Sequence, residues 1–108
     1  MTYLEIIKFY YESGSGSGNE APFYLRVKGK TVGGTYYKVT SWSPVQSSGA
    51  AAVSAITINL TATTSPDESQ NVYLGDLVPG TDKNLTITAE EGGSSESDSK
   101  NYKEAEAE

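Results

Sequence analysis

The chain has no cysteine and no histidine, one methionine, one tryptophan and four prolines in 108 residues. Without cysteine there is neither a disulfide framework nor a thiolate metal site. Without histidine the commonest general base and the commonest metal ligand are both missing. Basic residues are also scarce: eight Lys and Arg face fourteen Asp and Glu, for a net charge of −6. Nucleic acid is therefore not an expected partner, because binding it relies on Lys and Arg neutralising phosphates. No apolar run reaches the roughly 20 residues of a membrane helix, so no membrane insertion is expected. The opening Met1-Thr2-Tyr3-Leu4-Glu5 lacks the basic region and cleavage motif of a signal peptide. A chain of this length is expected to form one domain with its own core.

What the sequence does contain is β-strand pattern and turn chemistry. The stretch Leu77–Ala89, LVPGTDKNLTITA, organises the rest. Pro79 has a fixed φ and no amide proton, which suits the first central position of a tight turn. Gly80 follows and can take φ > 0, so a type II turn is predicted. Beyond it, Leu85, Ile87 and Ala89 alternate with Asn84, Thr86 and Thr88, the period of a half-buried strand. Before it, Val72 and Leu74 sit two apart, and Leu77 starts a corner whose side chain should enter a core. Ala21–Val27, Thr35–Trp42 and Val53–Thr63 read as further strands, with Lys28-Gly29-Lys30 and Val32-Gly33-Gly34 forming a turn. Tyr37 and Val39 are out of phase with Trp42, which calls for either a bulge in that strand or a different register.

The N-terminus reads differently. Thr2–Glu12, TYLEIIKFYYE, is rich in β-branched and aromatic residues and has neither Gly nor Pro. Strict alternation places Leu4, Ile6 and Tyr10 on one face and Tyr3, Ile7, Phe9 and Tyr11 on the other. A strand apolar on both faces needs cover on both, or an edge to pair with. Ser13–Gly18, SGSGSG, is the composition of a flexible tether. The expected organisation is an additional strand or arm at 1–12, a linker at 13–20, and a sandwich at 21–108 with an acidic tail. The arm either joins its own sheet or adds to a neighbouring subunit's sheet edge. Residues 1–42 carry five bases and three acids; residues 43–108 carry three bases and eleven acids. Such asymmetry can steer subunits head to tail, and its ordinary reading is a solvated acidic tail. The terminal Glu104–Glu108 is expected to fray.

Leu77-x-Pro79-Gly80-Thr81, with the alternating strand that follows, resembles the E-to-F corner of a fibronectin type III domain. Ser41-Trp42-Ser43-Pro44 looks like the end of that family's strand B. Ile56, Ile58 and Leu60 look like strand C, and Pro22, Leu25 and Val27 like strand A. The resemblance covers roughly residues 21–108 and implies an all-β, antiparallel, immunoglobulin-like or fibronectin type III-like sandwich. It implies one core holding Leu25, Trp42, Ile56, Ile58, Leu74, Leu77, Leu85 and Ile87, with the Pro79-Gly80 corner beside it. One departure is plain: the family's corner tyrosine, whose hydroxyl ties the corner to the backbone, is replaced by Lys83. The resemblance also implies end loops at 43–52 and 90–99.

No constellation for catalysis stands out. Serines are plentiful but have no histidine or evident lysine partner, and the carboxylates cluster in loops and tail. Asp67, Glu68, Asp76 and Asp82 offer hard oxygen ligands, but at no recognised calcium-loop spacing. No enzyme activity, metal or cofactor is expected. Asn59-Leu60-Thr61 and Asn84-Leu85-Thr86 match the N-glycosylation triplet, which Thr-rich strands produce by chance. The expected function is a structural, assembly or spacer module of a surface appendage or virion. Its partner would be protein, itself included, engaged through Leu4, Ile6, Ile7, Phe9, Tyr10 and Tyr11. The alternative is a natural or engineered scaffold reading a protein or glycan through loops 43–52 and 90–99. The extracellular or virion setting follows from fold analogy alone.

Overall fold

Ile56, Ile58 and Leu60 are buried while Thr57 and Asn59 between them are less so, as a strand with one face on a core requires. The same rule holds for Leu85, Ile87 and Ala89 and for Phe23, Leu25 and Val27. A computed structural model describes residues 1–13 and 18–108. The centre of the SGSGSG tether, residues 14–17, lies outside the described residues.

The strands are β1 (Leu4–Tyr11), β2 (Ala21–Gly29), β3 (Thr31–Val32), β4 (Thr35–Ser43), β5 (Ala55–Thr63), β6 (Gln70–Leu77), β7 (Asn84–Glu91), β8 (Ser94–Asn101) and β9 (Glu106–Ala107). A single 3-10 turn, Tyr102–Glu104, separates the last two. Two sheets pack face to face: β6-β2-β1-β9 and β3-β4-β5-β7-β8. The chain is all-β among the described residues apart from that turn, with its core between the layers.

Of the two placements expected for the N-terminal segment, β1 takes the one in its own chain's sheet. It pairs antiparallel with β2, and Leu4 and Phe9 belong to the same buried cluster as Leu25 and Ile58. Other expectations need correcting. β1 does not alternate simply. Its register against β2 slips between Ile6 and Lys8, so Ile7 is an extra residue. Leu4, Ile6, Phe9 and Tyr11 therefore oppose Gly29, Val27, Leu25 and Phe23 on the inner face. Glu5, Lys8 and Tyr10 oppose Lys28, Arg26 and Tyr24 on the outer face. The broken period in the sequence is the trace of that bulge. A second register slip, between Val39 and Ser41, stands where the phase of Tyr37, Val39 and Trp42 breaks.

The pairing is not wholly antiparallel. β5 and β7 run parallel from Ala55↔Thr86 to Leu60↔Glu91. An immunoglobulin-type sandwich is built of antiparallel sheets, so this connection departs from that plan. Residues 90–99 are not a loop either: they form a hairpin, with β7 and β8 meeting at Gly92-Gly93. β8 begins at Ser94, inside the expected loop, and runs to Asn101. The terminal residues, expected to fray, are placed on the sheet: β9 pairs with Tyr10 and Tyr11.

Leu25, Ile56, Ile58, Leu74, Leu85 and Ile87 are buried, whereas Trp42 and Leu77 are only partly buried against the core. At the corner, Thr81 N donates to Val78 O at 3.1 Å and Gly80 has φ +89°, the geometry of a type II turn. Two side chains hold the loop that precedes β5. Lys83 Nζ donates to Ala52 O at 2.7 Å, and Tyr102 Oη donates to Val53 O at 2.6 Å.

Candidate functional site: the open edge between β1 and β8

Unpaired strand edges present free N–H and C=O groups, so a sandwich has to deal with each of its edges. The β6 edge is covered by its own chain. Ala52 N donates to Asp76 O, Val53 N to Leu74 O, and Asp76 N to Ala50 O. That approach is so close that a Cβ on Gly75 would meet Ala51 O at 2.5 Å, and Gly75 sits at φ +110°. The β4 edge is covered by side chains beyond the short β3. The Asp67 carboxylate accepts from Gly29 N at 2.8 Å and Val39 N at 3.1 Å. Gln70 Nε2 donates to Val39 O at 3.0 Å.

The opposite flank stays open. β9 covers β1 only at Tyr10 and Tyr11. Leu4–Phe9, roughly 20 Å of extended backbone at about 3.3 Å per residue, has no strand on its outer side among the described residues. β8 is the edge of the other sheet along its whole length. Two adjoining depressions of about 220 and 290 Å³ run between these edges. Leu4, Ile6, Ile7 and Phe9 line them on one side, Asp98 and Lys100 on the other. Glu96, Asp98 and Lys100 oppose Ala89, Ile87 and Leu85, so β8 turns its charges toward the inner face. Inward charges on an edge strand discourage indiscriminate pairing.

Both ends of the opening are clamped. At one end the Thr2 hydroxyl and then the Thr2 amide donate to the Glu96 carboxylate, which holds that carboxyl below its ordinary range. Lys30 Nζ donates to Met1 O at 2.5 Å beside it. At the other end Tyr102 is inserted edge-on against Phe9 and Phe23, with centroids 5.6 and 5.3 Å away. Asn101 caps the turn that carries Tyr102, accepting from Lys103 N while Glu104 Oε2 accepts from Asn101 N. Glu108 then joins Lys8 and Arg26 in ion pairs at 3.5 and 3.4 Å. Tyr102 has no signal in the sequence: it is a lone aromatic in a polar, acidic stretch.

No family model, curated protein or solved structure matches this chain. The site must be read from its own chemistry. Of the expected assembly residues, Leu4, Phe9 and Tyr10 are buried, Ile6 and Tyr11 partly so, and Ile7 is 42% exposed. The burial is within one chain, and what remains available to a partner is the outer backbone edge with Glu5, Ile7 and Lys8. The four carboxylates considered for calcium are used separately: Asp67 on backbone amides, Asp76 on Tyr73, and Asp82 on Asn101, while Glu68 stands in the turn before β6. Among the described residues no three metal-ligating side chains come together, and no helix is long and apolar enough to cross a membrane. Asn59 and Asn84 engage their side-chain amides with Ser41 and Asn101.

The loop at 43–52 is anchored by a second tyrosine. Tyr73 Oη donates to Asp76 Oδ1 at 2.5 Å and accepts from Gly49 N at 3.2 Å. Burial, then the bond to Asp76, pushes the Tyr73 phenol up to about 12. The folded state thus favours the neutral phenol, relative to an ordinary value of about 10. The stability this contributes is complete below about pH 10 and is lost as pH rises toward 12. Phenolate absorbance is expected to show a late-titrating tyrosine that Tyr73→Phe removes. An unchanged titration in the variant would rule this assignment out.

Proposed function

We propose that the protein is a non-enzymatic assembly or spacer module that associates through strand addition at the open β1 edge. The observation that carries this reading is the contrast between edges. The chain covers β6 and β4 with its own groups, yet among the described residues no strand pairs with the outer side of Leu4–Phe9, beside a seam that mixes Ile6, Ile7 and Phe9 with Lys8, Lys100, Glu104 and Glu106. The occupant is a second copy of the same chain. The Ile7 bulge puts Glu5 and Lys8 on one face, which a regular strand would not do. Two β1 strands placed antiparallel about a two-fold axis then set Glu5 opposite the second copy's Lys8, and Leu4 opposite its Phe9. Opposite charges facing each other across strands are each worth roughly 0.2–1 kcal/mol, and like charges are unfavourable. An isologous contact of this kind occurs twice, so each charge pair counts double. The 46 × 22 × 21 Å shape suits a spacer built by such addition.

The fibronectin type III likeness is best kept as an analogy for the Leu77–Thr81 corner and for the two-layer architecture. A surface-appendage or virion setting rests on that analogy alone.

Light scattering after size exclusion tests the proposal. The full chain is expected to show a concentration-dependent dimer. Lys8→Glu should return it to monomer by setting two carboxylates against each other at both symmetry-related positions. Glu5→Lys combined with Lys8→Glu should restore the dimer. A folded full chain that stays monomeric at every concentration, or a double variant without rescue, would sink the β1 pairing.

A further inference from the structure

Asp76 is the only charged side chain among the described residues to be buried, at 8% exposure. Its hydrogen-bond partner is a neutral phenol, Tyr73 Oη. The ion pairs among the described residues both belong to Glu108, at the far end of the sheet. A buried carboxylate without a cation carries a desolvation cost that a positive group would offset.

The surroundings are shaped for such a group. Asp76 lies in an open cavity of about 260 Å³ whose other walls are Pro22, Tyr24, Ser48 and Tyr73. Among the described residues no basic side chain lines it. Tyr24 and Tyr73 stand 5.5 Å apart with their planes tilted 46°, forming an aromatic corner beside the carboxylate. Tyr24 stacks in turn on Tyr10 at 5.3 Å and 20°, so three rings form one row across β1, β2 and β6. At the Tyr10 end this row is already covered by cations of the same chain, with Lys8 and Arg26 at 5.2 and 5.1 Å from the ring centre. The Tyr73 end has the same kind of face, a carboxylate, and no cation of its own. Its rings are fixed by packing, and Tyr73 is also fixed through Gly49 N.

We propose that the Tyr24–Tyr73–Asp76 cavity is a binding site for a cationic side chain, lysine or arginine, presented by a partner protein. The ammonium or guanidinium would donate to the Asp76 carboxylate and lie against the faces of Tyr24 and Tyr73, where cation–π attraction adds to the charge-assisted hydrogen bond. The site is independent of the β1 edge, on the opposite margin of the same sheet, so it neither needs nor excludes strand addition.

Backbone NMR titration of the full chain tests it, using Nα-acetylarginine amide and Nα-acetyllysine amide as probes. Saturable shifts are expected at Gly49, Tyr73 and Asp76, with affinity of about millimolar for a single side chain. The shifts should weaken with added salt. Nα-acetylcitrulline amide, the neutral isostere, should leave them unmoved. Asp76→Asn should weaken binding about tenfold or more, as loss of a hydrogen bond to a charged group does. Tyr24→Leu leaves the carboxylate and its Tyr73 bond in place and should weaken binding severalfold. No saturable shift, an equal response to citrulline, or a response to neutral sugars but not to the cations would overturn the assignment.

Discussion

A chain that starts at Asn19 is expected to be unfolded, at any concentration. The sequence alone suggests the opposite, since the Gly/Ser tether makes Met1–Glu12 look detachable. In the fold, β1 lies between β2 and β9 and supplies Leu4 and Phe9 to the one core. Truncating a single buried Leu costs about 2–5 kcal/mol and a Phe about 3–5 kcal/mol. Removing the strand deletes both, strips the ladder from one side of β2, and leaves β9 without a partner. Against a total stability of about 5–15 kcal/mol, this is enough to abolish folding. Circular dichroism and a thermal melt decide the matter. A cooperative transition in the truncated chain would mean that β1 is dispensable and the core closes without it.

Replacing Tyr102 should be the most damaging single change near the candidate site. Its ring is 1% exposed, packed edge-on to Phe9 and Phe23, and its hydroxyl donates to Val53 O. Tyr102→Ala is expected to cost about 3–5 kcal/mol, in the range of large aromatic truncations. It should also free β9 from β1, because the 3-10 turn carrying Tyr102 sets the path into that strand. Tyr102→Phe keeps the ring and removes only the hydroxyl. The cost should then be about 1–3 kcal/mol, the penalty for leaving the Val53 carbonyl without its donor. Denaturant unfolding of the two variants separates ring from hydroxyl. A Phe variant as stable as the parent would show that Val53 O finds another partner. Burial raises the Tyr102 phenol far above its ordinary range, so this bond survives well into alkaline pH.

How much of this was legible depends on where each residue's partner lies in the chain. Leu85, Ile87 and Ala89 declare a strand because their period of two is local, and so do Ile56, Ile58 and Leu60. Pro79 and Gly80 declare a turn because turn chemistry is local as well. Even the bulges left a trace, in the broken phase of Leu4, Ile6 and Phe9 and of Val39 and Trp42. β8 left none. SSESDSKN has no apolar alternation because its inner face borders the open seam and not the packed centre. It is a strand because β7 pairs with it along its whole length, and a Gly/Ser/acid stretch read alone looks like a loop.

The sequence by itself determined an all-β chain, most of its strands, its turn at Pro79-Gly80 and most of its core, since these follow from side-chain periodicity and backbone restriction within a few residues. Only the tertiary structure decided that β5 and β7 run parallel, that β1 is integral, and that Tyr102 and Lys83 hold the loop at Ala52-Val53. It alone decided which edge stays open. Strand direction, edge coverage and burial of an isolated polar-flanked ring arise from contacts between residues far apart in the chain. No local pattern records them, because the backbone hydrogen bonds that fix them are the same for every side chain.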